Sequence, residues 1–338
     1  MQTIKEKHIK VLDCTLRDGG HVNKFLFKEK NIKLITNGLI DSKVDIIELG
    51  FLMDCVPNSH KTQFNKISDA ECFLGNSKSK TEFCLMIRPD WYTAERLEVQ
   101  SGNIKSLRFA FHYKDLSLTL RQVKIAQQKG YTVYLNPVNI FSYTKRQLTE
   151  LLDLLNKAGP KGVSIVDTFG SMMPHDLPIL TNSFNEHLDP NIAIGLHLHE
   201  NLSLSFALSI IFLDAMKGKR QCIIDSSILG MGRAPGNLCS ELVLNYLNIN
   251  HNAQYNLDAI YKLIDNPING YMIKNPWGYL PAYALTAFNK THRSYAEHLI
   301  ETRGISLERI ARLIVQIQSE HDKINFNTRV LDLINSYP

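Results

Sequence analysis

Short apolar runs rich in Val, Ile and Leu recur along the chain at 9–14, 45–50, 83–88, 106–112, 131–136, 163–167, 193–199 and 221–226. Several are almost unbroken in hydrophobic residues, the pattern of parallel strands buried on both faces. Between them lie segments with apolar residues at helical spacing: 29–41, 116–128, 145–157, 177–186, 202–216 and 237–247. Strand, loop, helix and loop repeat with the size of a βα unit. Eight units in succession predict a closed (β/α)8 TIM barrel, an α/β fold, over 1–251. Beyond it, 252–338 carries only the 3.6-residue period, at 257–264, 282–301, 306–318 and 325–334. It predicts an all-helical C-terminal region packed on the barrel, with no Gly/Ser tether.

Composition narrows the class. The 338 residues are 44% hydrophobic and 21% charged, which excludes a disordered or low-complexity chain. The net charge of +5 is spread thinly, without the basic stripe of a nucleic-acid binder. The greasiest stretch, 202–216, is interrupted by Ser203, Ser205, Ser209 and Asp214, and is too short and polar to span a bilayer. Six scattered cysteines without a C-x-x-C pair read as reduced thiols, and the N-terminus has no signal-peptide shape, so the expected location is the cytoplasm.

Barrel chemistry gathers at the C-terminal ends of the strands. Here those ends carry Arg17, Asp18 and His21; Glu48; Arg88; His112; Asn136; Asp167, Thr168 and Ser171; His197, His199 and Asn201; and Asp225, with Asn237 further on. His197 and His199 stand at i and i+2, on one face of a strand. Such a pair also arises from one core and one surface histidine. Its place at a barrel mouth favours a metal site, with Asp18 as the anionic third ligand and open positions for substrate oxygens. Arg17 can stabilise an oxyanion beside that ion. His21 is a candidate general base. The loop Gly230–Asn237 either cradles an anion or only supplies backbone positions with positive φ.

These motifs resemble the DRE-TIM metallolyases. Thr15-Leu16-Arg17-Asp18-Gly19 follows the first strand, His197-Leu198-His199 ends the seventh, and Gly230-Met231-Gly232 with Gly236-Asn237 follows the eighth. Within that group the pattern is similar to 4-hydroxy-2-oxovalerate aldolase, through Thr15 to His21, Asp167 to Met172 and His197 to Leu204. The resemblance implies a carbon–carbon lyase that converts a 4-hydroxy-2-oxo acid to pyruvate and an aldehyde through a metal-stabilised enolate. Asp18, His197 and His199 would hold the divalent ion, manganese first, with magnesium, cobalt or zinc as alternatives. Substrate contacts would come from Arg17, Ser171, His197 and Tyr283. His21 would serve as the base. Tyr283, from Gly278-Tyr279-Leu280-Pro281-Ala282-Tyr283, would position substrate or protonate the enolate. Asn237, Asp167 and Glu48 would stand behind the ligands. A homo-oligomer and an acylating aldehyde dehydrogenase partner are implied as well. Arg233-Ala234-Pro235 departs from the aldolase pattern and could recognise a larger or anionic substrate. A related lyase, an acyl-CoA-dependent Claisen synthase and a non-catalytic metal-binding barrel are the competing readings.

Overall fold

A computed structural model describes residues 8–74, 79–301 and 305–335. Nine strands form one sheet: β1 (Ile9–Asp13), β2 (Ile46–Leu52), β3 (Gln63–Phe64), β4 (Glu82–Ile87), β5 (Ile104–Phe111), β6 (Thr132–Pro137), β7 (Gly162–Val166), β8 (Ala193–His197) and β9 (Cys222–Ser226). Every pairing between them is parallel, and β1 pairs with both β2 and β9, which closes the barrel. The eight expected runs are its staves. The two-residue β3 is an addition, paired to the end of β2.

Helices pack outside the sheet: α1 (Glu29–Asp41), α2 (Ile67–Glu71), α3 (Leu116–Gln128), α4 (Lys145–Ala158), α5 (Asp176–His187), α6 (Ser205–Met216) and α7 (Ser240–His251). Their inward stripes follow the helical period. In α1, Ile32, Ile35, Thr36 and Leu39 are buried, while Glu29 and Lys33 pair on the outer face. In α4, Thr144 and Gln147 cap each other at the N-terminus, and Gly159 closes the C-terminus at φ +58°.

The C-terminal region contains α8 (Leu257–Leu263), α9 (Asn269–Lys274), α10 (Pro281–Phe288), α11 (Ser294–Glu301), α12 (Leu307–Val315), α13 (Glu320–Ile324) and α14 (Thr328–Asn335). Tyr255, Ile260, Leu263, Ile268 and Trp277 join the barrel's own core. A second core forms among α10, α11, α12 and α14, around Tyr283, Tyr295, Leu299, Ile310, Ile314 and Leu331. The helix expected over 282–301 is two helices. The break at 289–293 includes Lys290 at φ +52°.

Inside the barrel the side chains are layered. One layer is apolar and includes Leu12, Ile46, Cys84, Tyr134 and Ile223. Next comes a charged layer of Glu48, Arg108 and Asp225, all buried. Asp18, His197 and His199 lie beyond it, at the strand ends.

Candidate metal centre

Asp18 follows β1, where the chain enters a single 3₁₀ turn, Gly19–His21. His197 is the last residue of β8, and His199 lies two residues on, in a bridge with Asn237. The two imidazoles face one another edge on, with ring centres 5.0 Å apart. One ligand atom from each of Asp18, His197 and His199 lies within 4.8 Å of the others. Oδ2 of Asp18 is 3.9 Å from Nε2 of His197 and 3.8 Å from Nε2 of His199.

The hydrogen bonds behind the ligands fix which atoms face the focus. His199 donates from Nδ1 to the carbonyl oxygen of Asp167 at 2.8 Å, an acceptor that can only receive. Nδ1 of His197 is 3.0 Å from Oδ2 of Asp225. Both Nε2 lone pairs are therefore left for the focus, the arrangement that orients metal-bound histidines. Oδ2 of Asp18 is buried and has no hydrogen-bond donor among the described residues, and the same holds for Oδ1 of Asn237 close by. A buried, unpartnered carboxylate oxygen is costly. A divalent cation satisfies it, so these residues fit a metal ion.

Electrostatics agree. Burial pushes the Asp18 carboxyl up, but Arg17, then His199 and His197, hold it well below the usual carboxylate range. Burial, with Arg293 and His197 nearby, lowers His199 to about 3, so its imidazole is neutral and free to coordinate. Arg17 reaches Asp18 at 3.0 Å and Glu48 at 2.6 Å. Arg108 joins Glu48, at 3.2 Å, to Asp225, so a continuous run of opposite charges leads from Arg17 round to His197. Arg108 escapes a search of strand ends because it sits in mid-strand on β5. The only signal for it in the sequence is an arginine within an otherwise apolar run.

A cavity of about 290 Å³ opens above this cluster. Arg17, Asp18, His21, His197 and His199 line its floor and near wall. Phe51, Met86, Trp91, Phe111, Val138 and Phe169 give it an apolar side. His21 packs edge on against Phe25, with Nε2 3.9 Å from Asp18 Oδ1. Burial lowers its pKa, which leaves it neutral and able to accept a proton.

Of the other expected residues, Arg88, His112, Asn136 and Thr168 line the cavity as well, and the rest stand behind it or apart from it. At the end of β7 the cavity wall is made by Thr168 and Phe169, while Ser171 lies behind, donating its N–H to the Asp167 carboxylate at 2.9 Å. Asp167 turns that carboxylate to the backbone of its own loop, and only its carbonyl serves His199. Glu48 and Asp225 back up Arg17 and His197. Tyr283 is 5% exposed within the C-terminal helical core and does not line the cavity; its carbonyl accepts from Asn201. The Gly230–Asn237 loop turns with positive φ at Gly230 and Gly236, seats Asn237 beside His199 and presents Arg233 to the cavity. His292 and Arg293, from the break between α10 and α11, also line it. An uninterrupted helical reading of 282–301 conceals them; Asn289 in the turn and Ser294 with Glu297 three residues on, a capping-box pattern, are the local signals of the break.

The chain is similar in sequence and fold to known proteins over most of its length. The HMGL-like family model matches residues 112–266. The chain is similar to 4-hydroxy-2-oxovalerate aldolase of Bacillus thuringiensis (strain Al Hakam), 26% identical over 271 residues, covering 78% of this chain and 76% of that protein. The enzyme of the same name from Pelotomaculum thermopropionicum is 24% identical over 328 residues, covering 93% of this chain and 94% of the other. Among solved structures, the N-terminal domain of a candidate aldolase from Bacteroides vulgatus superposes with a TM-score of 0.77 at 25% identity, over 90% of this chain and 99% of that one.

Proposed function

We propose, for a chain that belongs to the DRE-TIM metallolyase superfamily, a divalent-metal-dependent aldolase that cleaves or forms a 4-hydroxy-2-oxo acid, with pyruvate and an aldehyde as its partners. The observation that carries this reading is the convergence of Asp18 Oδ2 with the Nε2 atoms of His197 and His199 on the floor of a cavity that also holds Arg17 and His21.

Asp18, His197 and His199 would hold a divalent ion, which when bound would supply Lewis-acid polarisation of a 2-oxo acid's keto oxygen. Arg17 is held by Glu48 and Asp18, so its guanidinium is fixed before substrate arrives. It stabilises negative charge growing on the keto oxygen, and the charge is not diluted by water. His21, neutral at the cavity wall, accepts the proton of the 4-hydroxyl. The C3–C4 bond then breaks, its electron pair passes to the pyruvate enolate, and the aldehyde leaves. The proton taken up by His21 is returned, directly or through solvent, to C3, which completes pyruvate and restores neutral His21. The apolar side of the cavity excludes water from the enolate.

Manganese is the first candidate ion, with magnesium, cobalt or zinc as alternatives. The free cysteines fit a cytoplasmic enzyme. A homo-oligomer and an aldehyde dehydrogenase partner belong to the same reading.

The test uses metal-stripped protein, Mn²⁺ or Mg²⁺, and 4-hydroxy-2-oxo acids with a neutral aldehyde half, 4-hydroxy-2-oxopentanoate, and with a carboxylate-bearing one, 4-hydroxy-2-oxopentanedioate, with pyruvate read through lactate dehydrogenase. Metal-dependent pyruvate release that disappears in His199→Ala supports the reading. A protein that binds the ion but turns over no 2-oxo acid, or that gives heat on titration with acetyl-CoA, refutes it in favour of a binding barrel or a Claisen synthase.

A further inference from the structure

The cavity holds more positive charge than the metal centre uses. Four arginines line it, Arg17, Arg88, Arg233 and Arg293, and a fifth, Arg108, lies in the layer below; all but Arg293 have close carboxylate partners. Arg17 is committed to Asp18 and Glu48, and Arg108 to Glu48 and Asp225. Arg88 is held by Asp90 at 2.7 Å and lies over the Trp91 ring. Arg233, the departure noticed in the sequence, donates from Nε to Glu297 at 2.9 Å, makes a second contact to the same carboxylate and reaches Ser294 at 2.7 Å, so it is not the free reader its position suggested.

Arg293 is the exception. Its nearest carboxylate, Glu297, is 3.9 Å away and already carries Arg233. Its side chain is only 12% exposed, and its Nη1 is buried without a hydrogen-bond partner among the described residues. Burial, then Arg233, brings its pKa down to about 10, the mark of a cation short of counter-charge. A buried guanidinium with an idle N–H is costly unless something anionic occupies the space in front of it.

Where that anion would sit follows from the surroundings. His292 precedes Arg293 and packs edge on against Phe169, and His112 and Arg88 line the same cavity. Arg88 is 29% exposed and Arg293 12%, against 3% to 6% for the side chains of Asp18, His197 and His199. These cations are more exposed than the three candidate metal ligands, as His21 is too. The carboxylate and keto oxygen of a 2-oxo acid have Arg17 and the metal ligands on the floor. Arg293 comes from the α10–α11 break and lines the same cavity, within electrostatic reach of His199 and Asp18.

We propose that the cavity selects a 2-oxo acid whose far end, the aldehyde half, carries a second anionic group, carboxylate or phosphate, received by Arg293 with His292 beside it. The inference rests on the aldolase reading and narrows its substrate class. A neutral short-chain aldehyde would leave Arg293 unpaired in the closed complex.

The test is equilibrium binding to the magnesium-loaded enzyme by calorimetry, which needs no turnover. Two matched pairs of probes are used: 2-oxoglutarate against 2-oxopentanoate, and 2-oxoadipate against 2-oxohexanoate. Each pair shares the metal-facing end and differs at the far end. The expected result is a preference of about tenfold or more for the dianion in at least one pair, the scale of a charge-assisted hydrogen bond. Arg293→Gln should erase that preference, and Arg293→Lys should restore part of it. Phosphonate-ended 2-oxo acids then separate a phosphate-bearing substrate from a dicarboxylate. Equal affinities within both pairs overturn the inference while leaving the aldolase reading standing. An equal loss for both members in Arg293→Gln also overturns it, by placing Arg293 at the metal-facing carboxylate. If no 2-oxo acid of either kind binds, the aldolase reading fails and takes the inference with it.

Discussion

At the scale of single residues, the centre depends on atoms that do not touch the ion's place. Asp225 holds Nδ1 of His197 at 3.0 Å and is itself brought below the usual carboxylate range, against burial, by Arg108 and His197. Changing Asp225→Asn keeps the shape but weakens the acceptor that orients the ring. Loss of such a supporting group costs about 10–100-fold in metal affinity. Titration of Mn²⁺ into stripped wild-type and Asp225→Asn protein should show that drop, and unchanged affinity would mean His197 is oriented by something else. Asp13 offers a second residue-scale prediction. Its carboxylate accepts from Thr15 N–H and Ser240 Oγ, each at 2.9 Å, yet burial outweighs them and raises its pKa to about 6. A raised folded-state pKa favours the protonated form on folding. The stability this group contributes is complete below about 3.8 and is lost as pH rises through about 6. Relative to Asp13→Asn, the wild type should therefore lose ground in urea melts between pH 4 and pH 7; a constant gap across that range would refute the shift. The convergence of His197 and His199 was legible in the sequence because a strand's period of two puts them on one face and a barrel supplies the mouth. Arg108 was not, because its role is set by neighbours across the barrel, Glu48 and Asp225, which lie far from it in sequence.

At the scale of elements, apolar periodicity carried the barrel. The predicted 29–41 and 116–128 coincide with α1 and α3, since each has one clean inward stripe between turn residues. It failed where two helices follow in phase. Residues 282–301 keep an apolar stripe through the break, because α10 and α11 both contribute to the second core. The turn at 289–293 is held by backbone bonds such as Thr291 N–H to the Thr286 carbonyl, which composition does not report. The same limit hides close packing of helices. Gly38 lies inside α1, where alanine ordinarily stabilises a helix by about 1 kcal/mol. Here an added Cβ would meet Leu263 of α8, 2.7 Å from Cδ1 and 2.8 Å from Cγ. Gly38→Ala should instead destabilise the protein by about 1–3 kcal/mol through overpacking, read as a lower urea midpoint. A stabilised variant would show that α1 and α8 can separate at little cost.

At the scale of the molecule, the barrel and its helical extension meet over the cavity. The barrel supplies Asp18, His197, His199, Arg17 and His21, and the extension supplies His292 and Arg293. Ion pairing of Arg233 with Glu297 joins the loop after β9 to α11 across that boundary. The floor of the cavity thus comes from the part of the chain whose pattern is plain, and the roof from the part whose geometry depends on a helix break. The account stands on the floor. It is tested most directly by nuclear magnetic resonance of pyruvate in deuterated water with stripped protein. The methyl signal should fade by exchange only when Mg²⁺ is added, and it should persist in His199→Ala and Asp18→Asn. Exchange that ignores both the ion and these substitutions would contradict the account, as would a fully loaded wild-type protein that leaves the methyl protons untouched.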